Sequence, residues 1–183
     1  MAKRHLSWLS ATVFLALLAS SVAHPALARL PWAATTGLNY VEAIVNADNY
    51  RAAASALAMK KSPSPEVREL GRMLWQASIE NSRTLRLVVN STEPYVFLPT
   101  HVSTKYMFVI DELVGVSGDA FDRRFIAQQA TSLREVLALA ESYSQVGDDF
   151  ALKDFAAQSI PKLKMQLARA LDIEVQHGLM AAH

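Results

Sequence analysis

Apolar residues return at helical spacing through four long segments of this chain, and each segment stops at a short cluster of turn-forming residues. That pattern limits the fold more than any other feature. Val41, Ile44, Val45, Ala54 and Leu57 mark one face of a helix between about Thr36 and Lys61, and Val67, Leu70, Leu74, Leu85 and Val88 mark a second from Pro65 to about Asn90. Between them, in "KSPSPEV", Pro63 and Pro65 cannot continue a helix from upstream, whereas Ser64 is a good N-cap and Pro65 suits a first helical position. "NSTEPYVFLPT" closes the second helix with turn formers and two more prolines. Val102, Tyr106, Val109, Ile110 and Leu113 then make a shorter helix. It is expected to end at Ser117 to Asp119, where Gly118 suits a left-handed C-terminal cap and Asp119 caps the next helix, with Asp122 in its first turn.

The fourth helix is expected from about Ala120 to Val146 and, after "GDD", the last carries Leu152, Phe155, Ile160, Leu163, Leu167 and Leu171 on its buried side. Pro161 lies inside that pattern and should kink or split the helix there, unless the helix starts close by. With only 6 Gly and 7 Pro among 183 residues, long helices are favoured over many short strands. The expected fold class is all-α, an antiparallel four-helix bundle with an extra short helix between the second and third long helices. Residues 36–171 would form this domain and 172–183 a C-terminal tail.

The N-terminus reads differently. Lys3 and Arg4 precede an apolar stretch from Leu6 to Ala23, and Ala26-Leu27-Ala28 has the small residues that a signal peptidase needs, with Ser21-Val22-Ala23 as a second site. Residues 1–28 are therefore expected to be a signal peptide, cleaved after Ala28 or Ala23, and the protein to be periplasmic or secreted. Loss of Lys3 and Arg4 from 18 basic residues leaves 16 against 17 acidic ones, a formal charge of −1. This balance argues against nucleic acid as a partner, because phosphate binding needs a basic excess on one face. After Ala28 no apolar run reaches the roughly 18 residues of a transmembrane helix. With no Cys in the chain, its core alone must hold the fold.

Candidate chemistry is sparse. Glu174 and His177 form one Glu-x-x-His pair, the element from which bundle di-metal sites are built, but it lies in the tail and has no second copy, so it is only a weak metal candidate. His5 and His24 leave with the signal, His101 is in a loop, and His177 and His183 are in the tail. No imidazole or thiolate is left on a helix stripe for zinc or copper, and none to serve as general base for a serine nucleophile. The adjacent carboxylates Asp111-Glu112 and Asp148-Asp149 lie near helix ends, where acidic residues cap or sit in water. Arg83 and Arg86 belong to a solvated face. Gln128, Gln129 and Ser132 interrupt the apolar face of the fourth helix and read as a hydrogen-bonded layer or a helix edge. Tyr95, Val96, Phe97 and Leu98 are apolar enough to strap one end of the bundle, and Tyr95 and Phe97 are the residues through which a partner would be contacted.

Several segments together carry a resemblance: "SPEVRELGRML" at Ser64 to Leu74, "LPT" at Leu98 to Thr100, "ELVGVSGDAFDRRFI" at Glu112 to Ile126 and "LKDFAAQSIPKLKMQL" at Leu152 to Leu167. In their order and spacing they resemble the domain of unknown function 4142, a family of bacterial exported, ferritin-like helical proteins of the periplasm or outer membrane. The resemblance runs from about Leu38 to Leu171. Phe121, Asp122 and Arg123 are its most specific element and would set the start of the fourth helix by capping and packing, with Pro161 as a further signature position. It also implies Asp-His pairs where this chain has Ala77-Ser78 and Ser132-Leu133, a final His at Gln166, and early glutamates near Arg51 and Ala53. All of these are replaced here, so any polar or metal-binding cluster of relatives would have been lost.

The expected function is that of an exported, non-catalytic structural or interaction protein with no cofactor, working with an envelope protein or a small ligand. The alternatives are a ferritin-like metal-binding protein or oxidoreductase, and a carrier of a small apolar ligand.

Overall fold

The computed structural model describes residues 36–92 and 98–178. The expected signal peptide and the strap residues Tyr95 and Phe97 lie outside the described residues, as does His183. Among the described residues the chain is all-helical, with α1 at Gly37–Lys61, α2 at Pro65–Thr92, α3 at Thr104–Val114, α4 at Gly118–Val146 and α5 at Phe150–Gln176. The short helix falls between the second and third long ones, where the apolar spacing puts it.

Local chemistry fixes the helix ends. Thr36 Oγ1 accepts the Asn39 amide at the start of α1, Ser64 Oγ accepts the Val67 amide at the start of α2, and Asp149 Oδ1 accepts the Leu152 amide at the start of α5. Arg68 Nη1 donates to the carbonyls of Ser62 and Pro63, so the turn between α1 and α2 is tied to the helix that follows it. With three-residue connections at 62–64 and 147–149, α1 packs along α2 and α4 along α5. These two pairs meet through α1 against α4 and α2 against α5, and α3 lies against α1 and α4. Tyr40 of α1 stacks on Tyr143 of α4 with ring centroids 4.1 Å apart, and Tyr50 of α1 stacks on Tyr106 of α3 at 4.6 Å. Leu70, Leu74, Leu85, Leu113, Phe121, Phe125, Ile126 and Leu133 are fully buried between the helices.

Three expectations about helix ends need correction. Pro161 does not split the last helix, which runs unbroken from Phe150 to Gln176. Pro161 and Ala157, whose carbonyl loses its partner, are both exposed, so water can take the place of the missing N–H. Gly118 has a left-handed φ of +58°, yet it opens α4 while Gly115 closes α3. Finally, α5 continues past Leu171 and buries Ile173 completely, so the first residues assigned to the tail belong to the packed helix.

Gly147 ends α4 at a close approach. A Cβ there would lie 2.6 Å from the Tyr143 carbonyl oxygen and 2.7 Å from the Tyr143 ring, which is itself held in the stack with Tyr40. Gly147→Ala should therefore destabilise the protein by about 1–3 kcal/mol through overpacking. A urea midpoint equal to that of the wild type would show that both the carbonyl and the ring can move aside.

Candidate functional site

Positions 41, 44, 48, 51, 55 and 58 share the inward face of α1, and two of them carry charge. Asp48 and Arg51 stand one helical turn apart, each only 2 % exposed, with Arg51 Nη1 donating to Asp48 Oδ1 at 2.8 Å. Asn81 of α2 donates to Asp48 Oδ2 at 2.6 Å, and Ser82 Oγ reaches the same oxygen at 3.5 Å. Burial pushes the Asp48 carboxyl up to about 6, outweighing the attraction of Arg51 and the hydrogen bonds that favour its charged form.

Polar side chains from the other long helices are buried as well: Ser78 on α2, Asp122, Gln129 and Ser132 on α4, and Gln166 on α5. Many buried polar atoms of α1 and of these helices find no partner among the described residues. These include Arg51 Nε and Nη2, Tyr40 Oη, Gln166 Oε1, and the hydroxyls of Ser55, Ser78 and Ser132. Part of this interior is open. A cavity of about 90 Å³ is lined by Arg51 and Tyr40 from α1, Ala77 and Asn81 from α2, and Gln166 from α5, among others. Its rim carries Glu80 on α2 and Lys162 on α5, an exposed ion pair at 3.3 Å.

Gln128 and Gln129 form a separate layer. Tyr50 Oη donates to Gln128 Oε1 and accepts from Gln129 Nε2, both at 3.2 Å, while Gln128 Nε2 donates to the Val109 carbonyl and to Glu112 Oε2. The layer joins α1, α3 and α4, as expected for a hydrogen-bonded interruption of the core. Burial raises the Tyr50 phenol above its ordinary range, so it stays a neutral donor.

The remaining sequence candidates are scattered. Glu174 is half-buried and His177 is exposed at the end of α5, and no group of three or more His, Cys, Asp or Glu that could hold a metal ion occurs among the described residues. Phe121 packs in the core and Arg123 is exposed. Asp122 is buried and both its oxygens lack a partner among the described residues, so it makes no cap; Ser117 occupies the N-cap position. Leu98, the described end of the strap segment, is buried, and Asn49 Nδ2 donates to the Pro99 and His101 carbonyls beside it, both at 3.1 Å. Asp148 accepts the Tyr143 hydroxyl and Asp149 caps α5, so both carboxylates serve the turn between α4 and α5. Sequence reasoning missed the Asp48–Arg51 pair. The signal was there, since both lie in register with Val41, Ile44 and Ala58.

The family model for the domain of unknown function DUF4142 matches residues 23–173. The chain belongs to the DUF4142 family. Two solved structures share the fold. CopM in its Cu(II)-bound form is 12% identical, with a TM-score of 0.63 over 75% of this chain and 95% of CopM. A DUF305 protein of Streptomyces coelicolor, described as secreted, is 13% identical, with a TM-score of 0.63 over 79% of this chain and 94% of its own. No curated protein matches the chain. Within this DUF4142 chain, Ser78, Leu133 and Gln166, which stand where the resemblance implies histidines, are buried, as is Ser132, where it implies an aspartate. Ala77 and Gln166 line the cavity with Arg51. Arg51 thus shares a cavity with two of the replaced positions, Ala77 and Gln166.

Removing one partner of a buried ion pair strands the other. Asp48→Leu and Arg51→Met should each cost about 3–5 kcal/mol in urea unfolding, and the double variant should recover most of that loss. Simple addition of the two losses would show that the pair is not coupled. Asp48 also sets a pH dependence. The folded chain holds its proton more tightly than the unfolded chain, where the carboxyl titrates near its ordinary 3.8. Its contribution to stability is therefore full below pH 3.8 and is lost as the pH rises through about 6. The wild type should lose stability relative to Asp48→Asn over that window, and a constant difference would exclude the raised carboxyl.

Proposed function

We propose that this DUF4142 protein is exported by its N-terminal signal, with cleavage after Ala28 or Ala23, and acts as a non-catalytic structural or interaction protein of the bacterial periplasm or cell envelope. Its helices are read as an antiparallel, ferritin-like four-helix bundle with α3 as the addition. Tyr95 and Phe97 would contact an envelope partner. The likeness to a DUF305 protein described as secreted supports export. The lack of any described helix long and apolar enough to cross a membrane fits a chain that is not anchored by one.

One observation carries the non-catalytic reading: the interior of the bundle is built around the Asp48–Arg51 pair. Arginine keeps its charge at every physiological pH and engages one oxygen of the buried Asp48 carboxylate while Asn81 engages the other, so that carboxylate is not free to ligate a metal. The rival reading, a metal-binding or ferritin-like oxidoreductase protein, draws support from the Cu(II)-bound CopM neighbour. A carrier of a small apolar ligand would leave the buried N–H groups of Arg51 unmatched, which counts against it.

Metal analysis separates the readings. Protein purified after export from cells supplied with iron, copper and zinc should carry far less than one metal per chain after dialysis, as measured by mass spectrometry. Near-stoichiometric metal would overturn the proposal in favour of the metal-binding rival.

A further inference from the structure

The short helix covers only part of the seam between α1 and α4. It stacks Tyr106 on Tyr50 near its start and receives Lys61 at its end, so it lies over the half of α1 from Tyr50 to Lys61. Beside the other half, an open groove of about 700 Å³ runs between α1, the start of α3 and α4. Ala43 and Ala47 of α1, Tyr106 of α3, and Val136 and Leu139 of α4 give it an apolar lining. Ala43 is exposed and Tyr106 half-buried. Val136 and Leu139 keep 7 and 8 % of their surface open, where Leu133 and Ala140 on the same helix keep none. The apolar lining is therefore incompletely covered.

The charges along the groove are unbalanced. Glu42 of α1 and Glu135 of α4 both line it, both are exposed, and neither makes an ion pair or a side-chain hydrogen bond among the described residues. The only cation among the described lining residues is Lys105, which lies over the Tyr106 ring, 5.4 Å from its centroid. A complementary occupant therefore carries apolar side chains for the floor and positive charge for the two carboxylates.

The chain itself has such a segment next to the groove. α1 starts at Gly37, beside Tyr143 and Leu152, and the first groove residue, Asn39, follows two positions later. Residues 29–35, "RLPWAAT", come immediately before Thr36 and lie outside the described residues. Leu30, Pro31 and Trp32 supply apolar surface, Arg29 supplies a guanidinium, and cleavage after Ala28 adds a charged α-amine to the same residue. Seven extended residues reach about 23–25 Å. The groove follows α1 from Asn39 to Asn46, about 10 Å along the helix axis, so the segment is long enough to turn back at Thr36 and lie along it. Because the segment is tethered, its effective concentration at the groove is high, and modest contacts suffice to seat it.

We propose that the groove between α1, α3 and α4 is the docking site for the chain's own N-terminal arm, residues 29–35, with Trp32 against the apolar lining and Arg29 between Glu42 and Glu135. The arm completes the cover of the α1–α4 seam that α3 leaves unfinished. The inference rests on the proposed export and cleavage, which free the arm from the apolar signal. Cleavage after Ala23 would lengthen the arm and leave both Arg29 and Trp32 in it.

The test reads Trp32 fluorescence. The chain has three tryptophans, Trp8, Trp32 and Trp75, so Trp8→Phe with Trp75→Phe leaves Trp32 as the sole emitter whether or not the signal is cut. The intact mass of the exported protein reads the cleavage separately: a mass that keeps residues 1–28 overturns the export reading, and Trp32 still reports on docking. The expected emission is blue-shifted from that of the urea-unfolded protein, with acrylamide quenching reduced several-fold and independent of protein concentration. Charge reversal by Glu42→Lys with Glu135→Lys, both at exposed positions, should lower the ratio of docked to free arm about tenfold, and adding Arg29→Glu should restore it. Ala43→Phe, also at an exposed position, should displace Trp32 by filling the groove. Emission and quenching equal to those of the unfolded protein overturn the proposal. So does protection that grows with protein concentration, which would seat the arm on a second copy, and so does protection unchanged by both the charge reversal and Ala43→Phe, which would place Trp32 elsewhere.

Discussion

A charge pair between the helices of a small protein is an expensive element, and the interior of this one is arranged around it. Taking Asp48 and Arg51 out of water costs several kcal/mol per ion, and their contact at 2.8 Å offsets that only because further donors complete the carboxylate. Those donors come from α2, through Asn81 and Ser82, so the pair on α1 also fixes how α1 and α2 sit against each other. An apolar replacement would hold the same helices together with less directional constraint. What the pair adds is a defined orientation and a fixed field beside a cavity whose walls mix apolar residues such as Ile44, Val136 and Phe155 with polar ones such as Thr84, Gln158 and Gln166.

The Tyr50, Gln128 and Gln129 layer solves a different problem. It is also polar and interior, but its three members are neutral and bridge three helices, with the exposed Glu112 carboxylate as an acceptor at its edge. Such a layer sets the register of α3 and α4 on α1 at small electrostatic cost. The two polar zones therefore divide the work, one positioning the short helix and the other shaping the cavity. Asp122 fits neither zone. Its carboxylate is buried without a partner among the described residues, and no physical account of its retention follows from its surroundings.

Most of the helical framework was legible because its boundaries rest on local chemistry. Ser64 and Pro65 start α2, Asp149 caps α5, and the apolar stripe of α4 buries Phe125, Ile126 and Leu133 as the spacing requires. Where expectation failed, the deciding facts were solvent exposure and backbone conformation, which one sequence does not display. Pro161 sits on a face open to water and is accommodated, and Gly118 uses its left-handed backbone to enter a helix rather than to leave one. The interior site was harder still. Arg51 in a helical pattern reads as a surface residue, since arginine is seldom fully buried, and only its register with Val41, Ile44 and Ala58 marks it as inward. Its meaning depends on Asn81 and Gln166, which lie 30 and 115 positions away along the chain.

Lys61 shows how one helix can depend on another for its very existence. Its ammonium donates to the carbonyls of Leu113, Val114 and Val116, at 3.0, 2.8 and 2.7 Å, and lies over the Phe121 ring. α3 has only 11 residues and no basic side chain in its own last turn, so it lacks both the length for independent helicity and a countercharge for its negative end. Both come from α1. Such a segment is the natural first unit to open under native conditions, with amide protection well below that of the long helices. Opening of α3 would release Tyr106 from its stack with Tyr50 and expose the buried Leu113, so the short helix is tied to the core by both its flank and its end.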